Sequence, residues 1–319
     1  MPTSHFPTDP DENAASIVNL RELLFGCLEA IEARTIVEVG AFHGKSTREL
    51  LGWAEGRETR VVAIDPTPEA ELRELVAKHP ELELIELPSL EALGGLDADA
   101  VILDGDHNYF TLTGELELIE GRHPGSALPL LIAHDIGWPL ARRDSYYAPE
   151  RIPPQHRQPL ARNCYLLPDE PGTAPGGMPF ACVAEREGGP ANGTLTAVEV
   201  FIGDRPDLRF AIVPAFFGLG LIWHGEAPWA DAVAELVAPW DRNPMIARLE
   251  KNRIRQMTER YRITRLLDDL EARADAQRAV LEAMRDSRAL GWAERLSALR
   301  GGGRPAFTRE QVREALDEG

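Results

Sequence analysis

The fold is decided by the stretch Val37-Glu38-Val39-Gly40-Ala41-Phe42-His43-Gly44-Lys45-Ser46-Thr47. Its apolar start predicts a buried strand that ends at Gly40, and the residues from Ser46 onward predict the beginning of a helix. A glycine directly after a buried strand lets a ligand approach the backbone, and the next helix offers unpaired N–H groups and the positive end of its dipole. The stretch therefore predicts a site for a nucleotide-like cofactor.

Strands and helices alternate on both sides of this stretch. Apolar runs predict strands at 35–39, 60–65, 82–87, 98–103 and 128–133, and helical spacing predicts helices at 14–32, 46–53, 69–78 and 109–120. The runs 208–214 and 217–223 follow each other so closely that only a hairpin joins them. We expect a doubly wound α/β fold, Rossmann-like, whose mostly parallel sheet ends in an antiparallel strand.

The chain divides into a body, an insertion and a tail. Residues 1–228 contain the predicted cofactor-binding domain. Within it, 136–192 is rich in proline and has no regular periodicity, and a loop of this length is usually functional, so we expect a substrate lid. Residues 229–319 form a helical C-terminal extension, which could make a homodimer contact or fold back over the acidic body.

Composition restricts the partners. The 319 residues carry a net charge of −18, which disfavours binding to phosphate backbones, so nucleic acid is not the expected substrate. No stretch approaches the ~20 consecutive apolar residues of a membrane span, and the first ten residues contain no basic leader or apolar run. The 3 cysteines lack metal-type spacing. We therefore expect a cytoplasmic protein that acts on a small molecule.

The spacing of the glycines selects among cofactors. A dinucleotide fingerprint requires G-x-G-x-x-G, whereas Gly40 and Gly44 are four residues apart and Ser46 stands near the place of the third glycine. Asp65 ends the second predicted strand, where its carboxylate can accept hydrogen bonds from both ribose hydroxyls. This combination favours a ribose-containing cofactor other than a dinucleotide.

The motifs together resemble a known family. They are E-V-G-x-x-x-G-K-S-T at 38–47, I-D-P after the second strand, L-P-S after the third and V-I-L-D-G-D-H-N-Y after the fourth. This order is similar to that of class I S-adenosylmethionine-dependent methyltransferases, and within them to the bacterial small-molecule O-methyltransferases. The resemblance covers about 14–223 and implies a seven-stranded sheet.

The resemblance also implies roles for individual residues in binding S-adenosylmethionine. Glu38, Gly40 and Gly44 would line the methionine and ribose end of the cofactor. Asp65 would hold the ribose, and Ser89 would lie near the adenine. The remaining cofactor contacts that we predict are Phe42, Ser46 and Asp104.

Acids and imidazoles follow the fourth and fifth strands, where ligands bind in open α/β sheets. They are Asp104 and His107 after the fourth strand, and His134 and Asp135 at the end of the fifth. One interpretation is a divalent cation such as magnesium on Asp104, His134 and Asp135, although magnesium prefers oxygen ligands to imidazole. The other is metal-free, with His107 or His134 as general base and an aspartate that orients it. Catalytic roles therefore fall on His107, His134 and Asp135.

The predicted lid begins with aromatic and guanidinium side chains. Trp138, Arg142, Arg143 and Tyr146 can stack on a ring or hold a carboxylate, and we predict that they bind the substrate. This composition suggests a polar acceptor that is aromatic or anionic.

The leading hypothesis is a methyltransferase that moves a methyl group to an oxygen, or less readily a nitrogen, of a small metabolite. An NAD-dependent oxidoreductase is an alternative, which the absent third glycine and the antiparallel last strand disfavour. A noncatalytic scaffold with the same fold is another, because fold does not determine function.

Overall fold

The protein is described here from a computed structural model that covers residues 15–299 and 308–317. Within these ranges no helix combines the length and the apolar character needed to cross a membrane. The first ten residues, which carry the prediction about a leader, lie outside the described residues.

Strands and helices alternate through most of the chain. The strands are β1 (Thr35–Val39), β2 (Arg60–Ile64), β3 (Leu82–Ile85), β4 (Ala100–Leu103), β5 (Leu130–His134), β6 (Leu160–Leu166), β7 (Met178–Ala184), β8 (Leu208–Val213) and β9 (Leu219–His224). The helices are α1 (Arg21–Ala30), α2 (Lys45–Ala54), α3 (Ala70–Lys78), α4 (Ser89–Ala92), α5 (Tyr109–Arg122), α6 (Thr194–Ile202), α7 (Ala230–Val237), α8 (Pro244–Arg285), α9 (Arg288–Leu299) and α10 (Arg309–Asp317).

The main sheet has seven strands in the order β3-β2-β1-β4-β5-β9-β8. Strands β1 to β5 pair in parallel, whereas β9 pairs antiparallel with both β5 and β8. The order reverses between β1 and β4, and this is the point where open α/β sheets bind their ligands. The predicted doubly wound sheet with an antiparallel last strand is confirmed.

Each face of the sheet has its own apolar core, because neighbouring residues of a strand point to opposite faces. Ile36, Ile102 and Ile132 pack into one cluster with α1, α2, α3 and α7. Val37 and Val101 pack into the other, with α5 and α6. Both faces are therefore covered, which explains the continuous apolar runs of the central strands.

The segment 136–192, predicted as a loop without regular structure, contains an antiparallel hairpin of β6 and β7. Its small apolar cluster consists of Tyr146, Ile152 and Cys182. Prolines concealed the strands, since Pro179 interrupts the pattern of β7 and Pro159 and Pro168 flank β6. The segment 136–192 therefore has its own two-stranded sheet and small apolar cluster, and its role as a lid stays a prediction.

The contacts divide the chain into two compact units, Met1–Thr258 and Glu259–Gly319. Helix α7 and the first part of α8 fall in the first unit, although we predicted a boundary at 228. The division between domains and the homodimer through the C-terminal helices both stay predictions. In the second unit, α8 exposes Ile263, Leu266 and Leu270.

A buried acid connects the two helices that follow β3 and β4. The Oε1 atom of Glu115 in α5 accepts a hydrogen bond from the Ser89 hydroxyl at 2.5 Å. Burial raises the pKa of Glu115 to about 8, although the hydrogen bond from Ser89 acts in the opposite direction. The folded protein therefore holds a proton on Glu115 at pH values where the unfolded chain has released it.

Glu115→Gln is expected to reduce the loss of stability as pH rises. The pKa of Glu115 is about 8 in the folded protein, above the ordinary value of 4.5. The contribution of this group to the free energy of unfolding is therefore fully present below the ordinary pKa and is lost as the pH rises to the folded pKa. Each unit of difference corresponds to about 1.4 kcal/mol. Urea unfolding at about pH 5 and about pH 8 should show the variant gaining on wild type at the higher pH by more than about 1 kcal/mol. The control is Glu117→Gln, on an exposed residue of the same helix. Equal pH dependence of Glu115→Gln and wild type would contradict the assignment.

Candidate active site

The carboxyl ends of β1, β2, β4 and β5 meet at one edge of the sheet. The backbone hydrogen bonds continue past the strands: Gly40 N–H donates to Ile64 O at 2.9 Å, and Asp104 N–H donates to Val39 O at 3.0 Å. These bonds place Gly40, Asp65 and Asp104 next to one another, as expected for residues that end neighbouring parallel strands.

Two glycines form the turn after β1, and both have positive φ, +87° at Gly40 and +74° at Gly44. A Cβ atom on Gly40 would lie 2.2 Å from the carbonyl oxygen of Asp104. A Cβ atom on Gly44 would lie 2.7 Å from Leu75 Cδ1. At both positions the absence of a side chain lets another part of the protein pack close to the backbone. This requirement for glycine is additional to the close approach of a ligand that we predicted.

Glu38 connects β1 to the first turn of α2. Its carboxylate accepts hydrogen bonds from the hydroxyls of Ser46 and Thr47, the latter at 2.5 Å. Burial raises the pKa of Glu38 to about 7, against the effect of these two bonds. Gly44 is the N-cap residue of α2 and has no side chain that could accept a hydrogen bond from the helix. The first N–H groups of α2 therefore face the turn without a side-chain cap.

Asp65 is anchored by backbone donors. One carboxylate oxygen accepts from Phe42 N–H and the other from Thr67 N–H, each at 2.8 Å. Each oxygen has two lone pairs, so both can accept a further hydrogen bond from a ribose. Phe42 has a φ of 47° and a 54 % exposed side chain beside this carboxylate. An exposed aromatic ring in a left-handed turn is available to a ligand.

Ser89 begins α4 and is buried. Its hydroxyl hydrogen goes to Glu115, so only the lone pairs of its oxygen can meet a ligand donor. Its side chain therefore contributes mainly to packing between α4 and α5.

His134 is held at both ring nitrogens. Nδ1 lies 2.9 Å from Asp104 Oδ1, and Nε2 lies 2.9 Å from the carbonyl oxygen of Phe216. Both partners are acceptors, so the ring must donate from both nitrogens. Burial alone lowers the pKa of His134, but the charges of Asp104 and Asp135 and the hydrogen bonds to Asp104 and Phe216 outweigh it and raise the pKa to about 9. This imidazolium lacks a free lone pair for a metal or a substrate proton.

His107 occupies the position that we had considered for His134. Its Nε2 atom lies 3.3 Å from Asp135 Oδ2 and 3.9 Å from Asp104 Oδ1. Asp104, His107 and Asp135 each offer one ligand atom, and these atoms lie within 4.8 Å of one another. His134 is also close to both aspartates, with Nδ1 2.9 Å from Asp104 Oδ1 and 3.7 Å from Asp135 Oδ1, but both of its nitrogens are already hydrogen-bonded.

Asp135 has an unusual backbone and an unpaired oxygen. Its φ is 55°, in the left-handed region, which costs ~1 kcal/mol or more for a residue with a Cβ atom. Its Oδ1 atom is buried and makes no hydrogen bond within the described part of the chain. Strain and an unsatisfied buried acceptor in one residue are typical of a functional site.

Three of the residues predicted to bind the substrate make hydrogen bonds or ion pairs within the protein. Arg142 forms a bidentate ion pair with Glu199, with N–O distances of 2.6 and 2.7 Å. Arg143 is buried, and its guanidinium donates to the backbone oxygens of the lid at Ala184 and Pro171. Tyr146 is also buried, and its hydroxyl donates to Asp144 at 2.8 Å. Only Trp138, partly buried and just after β5, has none of these structural bonds among the described contacts.

Tyr147 is the residue that the sequence reasoning missed. Its side chain is 76 % exposed, and its ring centroid lies 6.1 Å from that of His107. Its N–H donates to Asp106 Oδ1 at 3.1 Å, which fixes the backbone at this point. Two consecutive tyrosines gave no signal as to which faces the site, because the segment has no periodicity.

Solved structures similar to this chain include several methyltransferases. The Podospora anserina methyltransferase PaMTH1 is 17% identical over 68% of this chain and 82% of that chain, with a TM-score of 0.42. A putative caffeoyl-CoA O-methyltransferase from Staphylococcus aureus is 12% identical over 65% and 83%, with a TM-score of 0.41. At these values the likenesses carry no conclusion about chemistry. No curated protein matches the chain.

A family model described as a methyltransferase domain matches residues 37–135. The matched segment starts in β1 and ends at Asp135, so it contains the glycine turn, Asp65 and the residues after β4 and β5. Residues 37–135 of this chain are therefore similar to a methyltransferase domain.

Proposed function

We propose that this protein is an S-adenosylmethionine-dependent methyltransferase that transfers a methyl group to an oxygen of a small metabolite, and that His107 takes up the proton of the acceptor. The observation that carries the proposal is the position of His107, whose Nε2 atom lies 3.3 Å from Asp135 Oδ2 at the carboxyl edge of the sheet. A hydroxyl becomes a good nucleophile when it loses its proton, whereas a neutral amine can attack first. A histidine base therefore supports an oxygen acceptor.

The contacts around the glycine turn support a role for its residues in binding the cofactor. We assign Asp65 to the ribose, because both of its oxygens are fixed by backbone donors and retain lone pairs. The turn at Gly40 and Gly44, with Glu38 and Ser46 behind it, would hold the methionine end. Phe42 would cover the cofactor, Ser89 would lie at the adenine, and Asp104 would lie at the transferred methyl group.

The chemistry needs alignment and removal of one proton. S-adenosylmethionine supplies a methyl group that is already activated on a sulfonium, so the protein has to place the acceptor oxygen in line with it. Asp135 Oδ2 lies 3.3 Å from His107 Nε2, so this carboxylate would orient the ring and leave Nδ1 to receive the proton. The same carboxylate stabilises the imidazolium that results. His134, already a double donor, keeps Asp104 in place.

An acceptor placed next to His107 would face acidic and aromatic groups. Arg142 and Arg143 are engaged by Glu199 and by lid carbonyls, so they do not support the anionic acceptor that the lid composition suggested. Tyr147 and Trp138 offer aromatic surfaces beside His107 and after β5. We therefore propose an uncharged hydroxyl compound with a flat or apolar part.

Asp104, His107 and Asp135 also fit a divalent cation. Two carboxylates and one imidazole form a donor set suited to manganese or zinc, and less to magnesium. The buried Oδ1 of Asp135, without a hydrogen bond among the described residues, would gain a partner. A bound cation would lower the pKa of the acceptor hydroxyl and would take the Nε2 lone pair of His107.

Ligand binding tests the cofactor assignment. Calorimetry should show binding of S-adenosylhomocysteine and no binding of NAD. Asp65→Asn should weaken the affinity for S-adenosylhomocysteine about tenfold or more, because an amide replaces one of the two oxygens that accept ribose hydroxyls. Asp204→Asn, on an exposed aspartate, is the matched control. Binding of NAD instead would support the oxidoreductase alternative, and binding of neither would support the noncatalytic scaffold.

Loss of His107 tests the chemistry. A mass-spectrometric screen for a metabolite that gains one methyl group identifies the acceptor. With that acceptor, His107→Gln should lower kcat by about 100-fold, with KM for S-adenosylmethionine little changed, since the imidazole acts only on the acceptor proton. His79→Gln is the control, because His79 precedes β3 and so lies near the amino ends of the parallel strands, away from the carboxyl ends that form the site. A kcat within twofold of wild type in His107→Gln would contradict the assignment.

Metal dependence separates the two forms of the site. If a cation assists, EDTA should abolish turnover and manganese should restore it, and Asp135→Asn should weaken manganese binding in calorimetry more than Asp99→Asn does. Unchanged turnover in EDTA, with no manganese bound by wild type, would exclude the cation and leave His107 as the base.

A further inference from the structure

The connection between β8 and β9 has a backbone that needs outside support. Phe216 has a φ of 49° and Phe217 a φ of 67°, and Gly218 follows at 89°. Side chains larger than glycine rarely adopt this left-handed region, and two bulky aromatic residues do so here in succession. Such a loop keeps its shape only where neighbouring groups hold it.

Helix α8 supplies that support through Glu250 and Arg253. Glu250 Oε1 accepts a hydrogen bond from Phe217 N–H at 2.8 Å. Arg253 holds the same carboxylate at two points, Nε to Oε2 at 2.6 Å and Nη2 to Oε1 at 2.7 Å. Its guanidinium carbon lies 4.7 Å from the ring centroid of Phe217 and 5.4 Å from that of Phe216. One ion pair therefore engages the backbone and both rings of the loop.

This ion pair is shielded from solvent. The Glu250 side chain is 11% exposed and the Arg253 side chain 25%. Bidentate geometry and partial burial distinguish it from ordinary surface ion pairs, which contribute little. Loss of either residue would remove the bidentate ion pair that holds the loop.

The other side of the loop contacts His134 and Gly137, beside the residues that follow β4 and β5. The carbonyl oxygen of Phe216 accepts the hydrogen bond from His134 Nε2 at 2.9 Å, and the carbonyl oxygen of Phe217 accepts one from Gly137 N–H at 2.5 Å. His134 in turn donates to Asp104 through Nδ1. A change of backbone conformation at Phe216 would therefore remove one of the two acceptors that fix the His134 ring.

We propose that Glu250 and Arg253 are positioning residues of the active site, which hold the Phe216–Phe217 loop so that its carbonyl fixes the ring of His134, and through it Asp104. The inference rests on the proposed function for its catalytic meaning. The contacts that carry it are independent of the cofactor and of the acceptor.

The test observes the Nε2–H proton of His134 directly. In protein with ¹⁵N-labelled histidine, this proton should exchange slowly because it is buried and hydrogen-bonded, and its signal is assigned by its absence in His134→Gln. Arg253→Met and Glu250→Ala should each lose the signal through faster exchange with water. Glu250→Gln keeps an oxygen for Phe217 N–H and should retain more of it. Arg248→Met, on an exposed arginine of the same helix, should retain it fully.

Persistence of the signal in both Arg253→Met and Glu250→Ala, at wild-type exchange rates, would overturn the proposal. If either variant fails to melt cooperatively, Arg253→Lys takes its place, since lysine keeps the positive charge but cannot form the bidentate ion pair with Glu250. A wild-type exchange rate in Arg253→Lys would then count equally against it. Calorimetry with S-adenosylhomocysteine on the same samples reports on the proposed function separately, because wild type that fails to bind this ligand contradicts the function and not the positioning.

Discussion

The close approach of Gly40 to the backbone of Asp104 and Gly105 is the constraint on which the site depends. A Cβ atom at Gly40 would lie 2.2 Å from Asp104 O and 2.6 Å from Gly105 Cα, so only a glycine allows the ends of β1 and β4 to meet. This contact sets where Asp104 stands. Asp104 then holds His134, and the turn that Gly40 begins places Phe42 N–H on Asp65. The glycine turn after β1 and the acidic residues at the ends of β2 and β4 therefore position one another.

The buried ionisable residues near the carboxyl ends of the strands have different structural roles. Glu38 and Glu115 are both buried with raised pKa values, and hydroxyl groups satisfy them. They support the turn and the helices that frame it. His134 is a fully bonded cation between Asp104 and the Phe216 carbonyl. That leaves His107, next to Asp135 and the exposed ring of Tyr147, as the imidazole best placed to exchange a proton with a substrate.

Much of the fold was predictable, because β1, β2, β4 and β5 are buried on both faces and appear as apolar runs of the right length. Asp65, Asp104 and Asp135 were predictable because parallel strands bring their carboxyl ends together. The histidines were harder: which of His107 and His134 retains a free nitrogen depends on the Phe216 carbonyl, which is distant in sequence. The partners of Arg142 and Arg143 are similarly remote, at Glu199 and in the lid. The part played by α8 left no trace in the sequence, since Glu250 and Arg253 look like any helical ion pair three residues apart.

The most direct test of this account is a crystal structure of the protein with S-adenosylhomocysteine. We expect the ribose hydroxyls to bind Asp65 and the sulfur to point toward Asp104, His107 and Asp135, with the ring of Tyr147 on the other side of the sulfur. A ligand whose sulfur faces away from His107, or whose ribose lies outside reach of Asp65, would contradict it.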